Sequence, residues 1–201
     1  MDIDNDGNQN QFGDEDFIYM KSMEIEPPPK HENNIADGFI IIDDEKMPVK
    51  RRELLDKKMS VIMPEAFALM PQETAKLKYP SENRPAVIYT NEDTTVNLTF
   101  THRDEEASNE DIPGVKDAIE PLVMRMFPAS SVIDSDTIDA SGKNISFYDY
   151  PTPALDIDIY NLTFMFSLEG RLVLGGFNCP VGSMDDWKPV FLQMLGSVEM
   201  N

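Results

Sequence analysis

The chain has a single cysteine in 201 residues. Cys179 therefore cannot close an intramolecular disulfide, which excludes the disulfide-stapled secreted domains. Histidine is almost as scarce: His31 and His102 are the two present, too few for a zinc site built on convergent nitrogen and sulfur ligands. Cations number 17 against 37 acidic residues, a formal net charge of −20. That balance argues against nucleic-acid binding, which needs a basic face, and against docking on an anionic membrane surface. No uninterrupted apolar run approaches the roughly 20 residues of a membrane span. The stretch Met1 to Asp6 has neither a basic n-region nor an apolar h-region, so no signal peptide is expected. These absences together lead to the expectation of a soluble, reducing, cytoplasmic setting.

Catalytic patterns are missing too. There is no Gly-x-Ser-x-Gly elbow, and Cys179-Pro180 has no base near it in sequence. A free cysteine between Phe177 and Val181 reads as a small buried hydrophobe. Asp2-x-Asp4-x-Asp6-Gly7 begins like an EF-hand loop, but its twelfth position is Gly13, where a bidentate glutamate is required. His102 with Asp104, Glu105 and Glu106 reads as a solvated acidic loop before a metal site. Gly175-Gly176 follows a strand and opens no helix, so it is a bulge or close-packing device before it is a phosphate cradle. Three sequons, starting at Asn97, Asn144 and Asn161, fall inside expected strands and read as chance. No catalytic, cofactor-binding or metal-ligating residue is assigned, and a non-enzyme is expected.

What is present is a globular composition, 41% hydrophobic and 27% charged, long enough for one sizeable core. Residues 1–34 read as a disordered acidic arm with a polyproline stretch at Pro27-Pro28-Pro29, and 35–201 as a single domain. Within the arm, Phe17-Ile18-Tyr19-Met20 is either a chance cluster or a short linear motif for a partner. Phe39 to Ile42 fits a strand or a helical turn. Val49–Leu55 and Met59–Met63 predict a hairpin across Asp56-Lys57-Lys58. Pro64 stops it, a short apolar helical turn at Phe67 to Met70 follows, and Lys78 to Pro85 is an irregular proline-framed loop. A second hairpin, Ala86–Thr90 with Thr94–Thr101, alternates Val96, Leu98 and Phe100 inward against Asn97, Thr99 and Thr101 outward, the pattern of a sheet with one wet face. Ser108 and Asp111 resemble a capping box for a helix with Ile112, Val115, Ile119, Leu122 and Met126 on one face, interrupted by Pro121. A meander of Ile145–Tyr150, Ile157–Ser167 and Leu172–Phe177 leads to a helix opening at Ser183. Its buried stripe is Trp187, Val190, Phe191, Met194, Leu195 and Val198. No internal repeat is evident. Helices inserted between antiparallel runs define an α+β fold, an antiparallel sheet packed by helices.

The strand ending in Pro64, the Pro64-x-x-Phe67-x-x-Met70 turn and the loop ending in Arg84-Pro85 resemble the PsbP-like superfamily. That superfamily includes the DcrB-like proteins and a Ran-binding nuclear transport factor. Trp187-x-x-x-Phe191-x-x-x-Leu195-Gly196-Ser197-Val198 is similar to the C-terminal helix of the DcrB-like branch. The loop from Lys78 to Pro85 resembles that of small proteins of anaerobic Firmicutes. The resemblance covers about residues 47–200 and implies a non-enzymatic adaptor or chaperone-like module that binds other proteins; it carries over no catalytic residue. Arg84, a cation in a proline-framed loop, is either a salt-bridge or carbonyl contact that fixes the loop or an anchor for a partner's carboxylate. With Tyr79 and the Phe17–Met20 cluster it makes the candidate partner-binding set. The alternative is a small-molecule or lipid-fragment carrier, with Phe147, Tyr150, Tyr160 and Phe166 lining a pocket.

Overall fold

Several strands here are runs of alternating apolar and polar residues that end where the backbone turns through positive φ. In the computed structural model, which describes residues 32–201, three hairpins close through two-residue turns. These are Asp43-Asp44, Ser141-Gly142 and Glu169-Gly170, with φ between 50° and 80° at both positions. Turns of that hand match the twist of the strands they join. The strands are β1 (Phe39–Ile42), β2 (Glu45–Leu54), β3 (Met59–Pro64), β4 (Ala68–Leu69), β5 (Val87–Thr90) and β6 (Asn97–Glu106), then β7 (Asp134–Ala140), β8 (Lys143–Thr152), β9 (Ile159–Leu168), β10 (Arg171–Pro180) and β11 (Glu199–Met200). The helices are α1 (Gln72–Lys78), α2 (Ile112–Met126) and α3 (Met184–Gly196). Two antiparallel sheets result, one ordered β1-β2-β3-β11 and the other β4-β5-β6-β10-β9-β8-β7. The architecture is α+β, as the sequence predicts.

One face of the larger sheet carries Leu98, Phe100, Leu162, Phe164 and Phe177, and α3 lays Trp187, Phe191 and Leu195 on it. Phe177 stacks on Phe191 at 4.3 Å, and Trp187 meets both Phe67 and Phe177. The same cluster takes in Ile40, Met59, Val61 and Met63 of the smaller sheet, so α3 is held between the two sheets. Phe164 fits only because residue 175 is glycine: a Cβ there would lie 2.0 Å from the ring's Cζ. Gly175 is the close-packing device of that pair. The opposite face is covered by α2 over Tyr148, Tyr150 and Met165, and by α1 over Ile88.

Several expectations change. Phe39–Ile42 is a strand. Phe67–Met70 is no helical turn: Phe67 is buried, and Ala68-Leu69 pairs with Thr90 and Tyr89 at the sheet edge. The helix comes after Pro71, over Gln72–Lys78, because proline is compatible with a helix start. β6 continues to Glu106, so His102, Asp104 and the two glutamates are strand residues. Pro121 does not end α2; it lies on the exposed side, where water reaches the freed carbonyl. The apolar stripe of α2 is rotated toward Val123 and Met124, leaving Leu122 55% and Met126 67% exposed. Asn33 and Asn34 belong to the fold and not to an arm. The Asn33 amide donates to the Ile41 carbonyl at 2.8 Å and accepts from its N–H at 2.6 Å, capping the β1 edge as a strand would. Residues 33–201 form one compact unit. Phe17-Ile18-Tyr19-Met20, the Asp2–Gly7 motif and His31 lie outside the described residues.

Candidate functional site

Two places concentrate polar chemistry, and they differ in kind. The first is centred on an enclosed carboxylate. Asp149 on β8 is 0% exposed. Its Oδ2 accepts from Lys188 Nζ of α3 at 2.6 Å and from the Tyr160 hydroxyl at 2.6 Å, and its Oδ1 accepts from the Asp134 N–H at 2.8 Å. Lys188 also reaches Asp134 at 3.3 Å. Burial pulls the Lys188 ammonium down, but the hydrogen bonds and charges of Asp149 and Asp134 outweigh it and leave it raised. Burial, followed by the bond to Asp149, raises the Tyr160 phenol. Every donor here has its acceptor and Asp149 has no route to solvent, so the cluster ties α3 to β7, β8 and β9.

The second place is the loop after α1, where Tyr79 and Arg84 meet. The Arg84 Nε donates to the Tyr79 carbonyl at 3.1 Å, which is the loop-fixing contact the sequence allowed. Among the described residues no carboxylate pairs with Arg84, so its terminal nitrogens have no carbonyl or carboxylate to donate to. Arg84 stands beside a cleft of about 460 Å³ floored by Met70, Val87 and Ile88 and edged by Leu69, which is 62% exposed. β4 forms the outer edge of the large sheet at this cleft.

On its other side the loop faces the middle of the sheet. Register puts Ile88, Thr99, Gly176, Thr163 and Tyr148 in one row across five strands, and Thr90, Asn97, Asn178, Asn161 and Tyr150 in the next. Ile88 is covered by α1 and Tyr148 by α2. The residues between them form a polar trough flanked by the two helices. The Thr90 hydroxyl donates to Asn97 Oδ1 at 2.8 Å, Asn97 Nδ2 to Asn178 Oδ1 at 2.8 Å, and Asn178 Nδ2 to the Tyr79 hydroxyl at 3.2 Å. Burial raises the Tyr79 phenol, with the Asn178 bond opposing. The Asn97 end opens into a cleft of about 430 Å³.

The trough corrects the reading of a wet face. Asn97 and Thr99 are buried, Asn97 bonded to Asn178 and the Thr99 hydroxyl donating to the Gly176 carbonyl. The sequence did hold a signal: Asn-Leu-Thr-Phe occurs at 97–100 and again at 161–164. The two copies lie on β6 and β9, either side of β10, with Asn178 between their asparagines and Gly176 between their threonines. A four-residue string is too short to stand out as a repeat until the strands are placed. The aromatic pocket expected for a carrier is absent at the named residues. Phe147, Tyr160 and Phe166 are packed in the α3 core and Tyr150 under α2. Cys179 is buried, and burial pushes its thiol up to about 12. Among the described residues, no group of three or more His, Cys, Asp or Glu is placed to hold a metal ion, and no helix is long and apolar enough to cross a membrane.

An edge-to-edge antiparallel sheet with helices on both faces and a C-terminal helix wedged under it defines a PsbP-like α+β fold. The cyanobacterial PsbP of Synechocystis sp. PCC 6803 superposes with a TM-score of 0.55 at 12% identity, over 87% of this chain and 100% of that one. A Bacteroides thetaiotaomicron protein superposes with a TM-score of 0.51 at 10% identity, over 76% of this chain, which spans 48% of that longer chain. At such identities the likeness is one of fold. No family model matches the sequence, and no curated protein matches it.

Proposed function

We propose that this chain is a non-enzymatic protein-binding module, an adaptor or chaperone-like factor, whose recognition surface is the Lys78–Pro85 loop and the cleft beside Arg84. The observation that carries the reading is Arg84 itself. It is a guanidinium oriented by its own loop and left without a carboxylate among the described residues, in a chain with 37 acidic side chains. A partner segment that places an apolar side chain over Met70 and Ile88 and a carboxylate on Arg84 would satisfy both features. Tyr79 supports the loop through its carbonyl. The Phe17-Ile18-Tyr19-Met20 cluster stays in the proposal as a second contact segment on sequence grounds. A cytoplasmic setting, membership of the DcrB-like branch and kinship with proteins of anaerobic Firmicutes belong to the same proposal, resting on the sequence features that suggested them.

The test is selection from a peptide library displayed with free C-termini. Sequences combining an acidic group with an apolar residue should be enriched by the wild-type chain and lost with Arg84→Gln. No enrichment, or enrichment indifferent to Arg84→Gln, contradicts the proposal.

A further inference from the structure

The cleft on the Tyr79 side of the loop has a different chemistry from the Arg84 cleft. It lies over the Asn97–Asn178–Asn161 row and the adjoining row of Pro180, Ile159 and Thr152, with Ile157 at its rim, 52% exposed. In a chain of net charge −20, no carboxylate lines it. Its one cation, Lys78, donates to the Thr94 carbonyl.

Most polar groups of the cleft are held by each other. Asn161 Nδ2 donates to Thr152 Oγ1 at 2.9 Å and to the Ile159 carbonyl at 3.2 Å. The Thr95 hydroxyl donates to Asp93 at 2.7 Å, and both ends of the Asn178 amide are engaged. Beside the further N–H groups of Lys78 and Asn178, two hydrogen-bonding capacities remain. Among the described residues no donor reaches Asn161 Oδ1, and the Tyr79 hydroxyl, which accepts from Asn178, has no acceptor for its own proton. The cleft therefore offers one fixed acceptor, one fixed donor and an apolar strip of Ile157, Ile159 and Pro180.

We propose that this cleft binds an uncharged, hydroxyl-rich ring, a monosaccharide or the terminal unit of a glycan. Such a ring presents C–H faces to the apolar strip, while adjacent hydroxyls donate to Asn161 Oδ1 and accept from Tyr79. An anionic ligand would meet one ammonium, Lys78, already held by the Thr94 carbonyl, against the field of a chain of net charge −20, and a cationic ligand would find no carboxylate in the lining. A purely apolar ligand would strip water from Asn161 and Tyr79 without replacing their hydrogen bonds. The volume lies within the range of small-molecule sites. This site is separate from the Arg84 cleft, so either proposal can fail alone.

The experiment is a titration of the isotope-labelled full chain with glucose, galactose, mannose and N-acetylglucosamine, and with glucuronate and glucosamine as charged counterparts, following the side-chain amide signals of Asn97, Asn161 and Asn178. A neutral sugar should shift these signals saturably and more tightly than either charged analogue. Tyr79→Phe, which keeps the ring, should weaken binding about fivefold to tenfold, the worth of one hydrogen bond. Ile157→Glu, at an exposed position, should abolish it while the remaining spectrum is unchanged. Tighter binding of an oligosaccharide than of its terminal sugar identifies a glycan end, and equal binding identifies a free sugar; either supports the site. No saturable shift with any neutral sugar, preference for a charged analogue, or wild-type affinity in both variants overturns it.

Discussion

At Asp149 three donors converge on one fully enclosed carboxylate. Removing one partner of a buried ion pair leaves the other charge without compensation. Lys188→Met should therefore cost about 3 kcal/mol of unfolding free energy, read from urea denaturation. Replacing both, with Asp149→Leu added, should recover much of that loss, because an apolar pair carries no unpaired charge. Equal losses in the single and double variants would contradict this account. Cys179, Tyr148 and Tyr160 make a second residue-scale prediction. Burial holds the Cys179 thiol up at about 12, from 9.0, and the Tyr148 phenol up at about 12, from 10.0; Tyr160 moves in the same direction. The folded chain keeps protons that the unfolded chain releases earlier, so rising pH favours unfolding. The contribution of these three groups should be flat below about pH 8 and fall from about pH 9 upward, where the unfolded thiol ionises first. Thermal melts across alkaline pH test the sign. Cys179 should also resist thiol reagents until denaturant is added.

At the scale of elements, the meeting of β9 and β10 depends on Gly175. Gly175→Ala drives a methyl into the Phe164 ring and should destabilise the fold by about 1–3 kcal/mol, as overpacking does. Pairing it with Phe164→Leu should restore part of the loss in the same denaturation assay. Elements whose burial is one-sided were legible in the sequence. The Trp187–Val198 stripe, the Leu162-Phe164-Phe166 alternation and the first hairpin stand where period and turn residues put them, and the second hairpin forms with a longer loop, its second strand starting at Asn97 and not Thr94. β7 was not, because Asp134 to Ala140 is an edge strand of mostly polar residues and offers no apolar alternation. β11 was hidden for the reason that two residues carry no period. The polar trough is not legible in the sequence because hydrophobicity cannot distinguish a hydrated asparagine from one buried against other asparagines. Arg84 was legible as an anomaly, but which carbonyl orients it depends on the loop's path.

For the whole molecule, charge sets the terms of recognition. A net charge of −20 repels an acidic partner at long range, whereas Arg84 attracts it only at contact. Screening acts over roughly 8 Å at physiological salt, so moderate salt should relieve the repulsion before it weakens the contact. The two clefts flank one loop, and α1 with β4 positions both without contributing to the α3 core. That separation lets surface substitutions change binding without unfolding the chain. The measurement that tests the central claim most directly is an amide-shift titration of the full chain with a selected acidic, apolar peptide at low and moderate salt. Shifts should concentrate between Leu69 and Ile88, association should quicken as salt is first added, and Arg84→Gln should remove the response. Shifts centred elsewhere, or a response that survives Arg84→Gln, would contradict the assignment of this loop as the recognition surface.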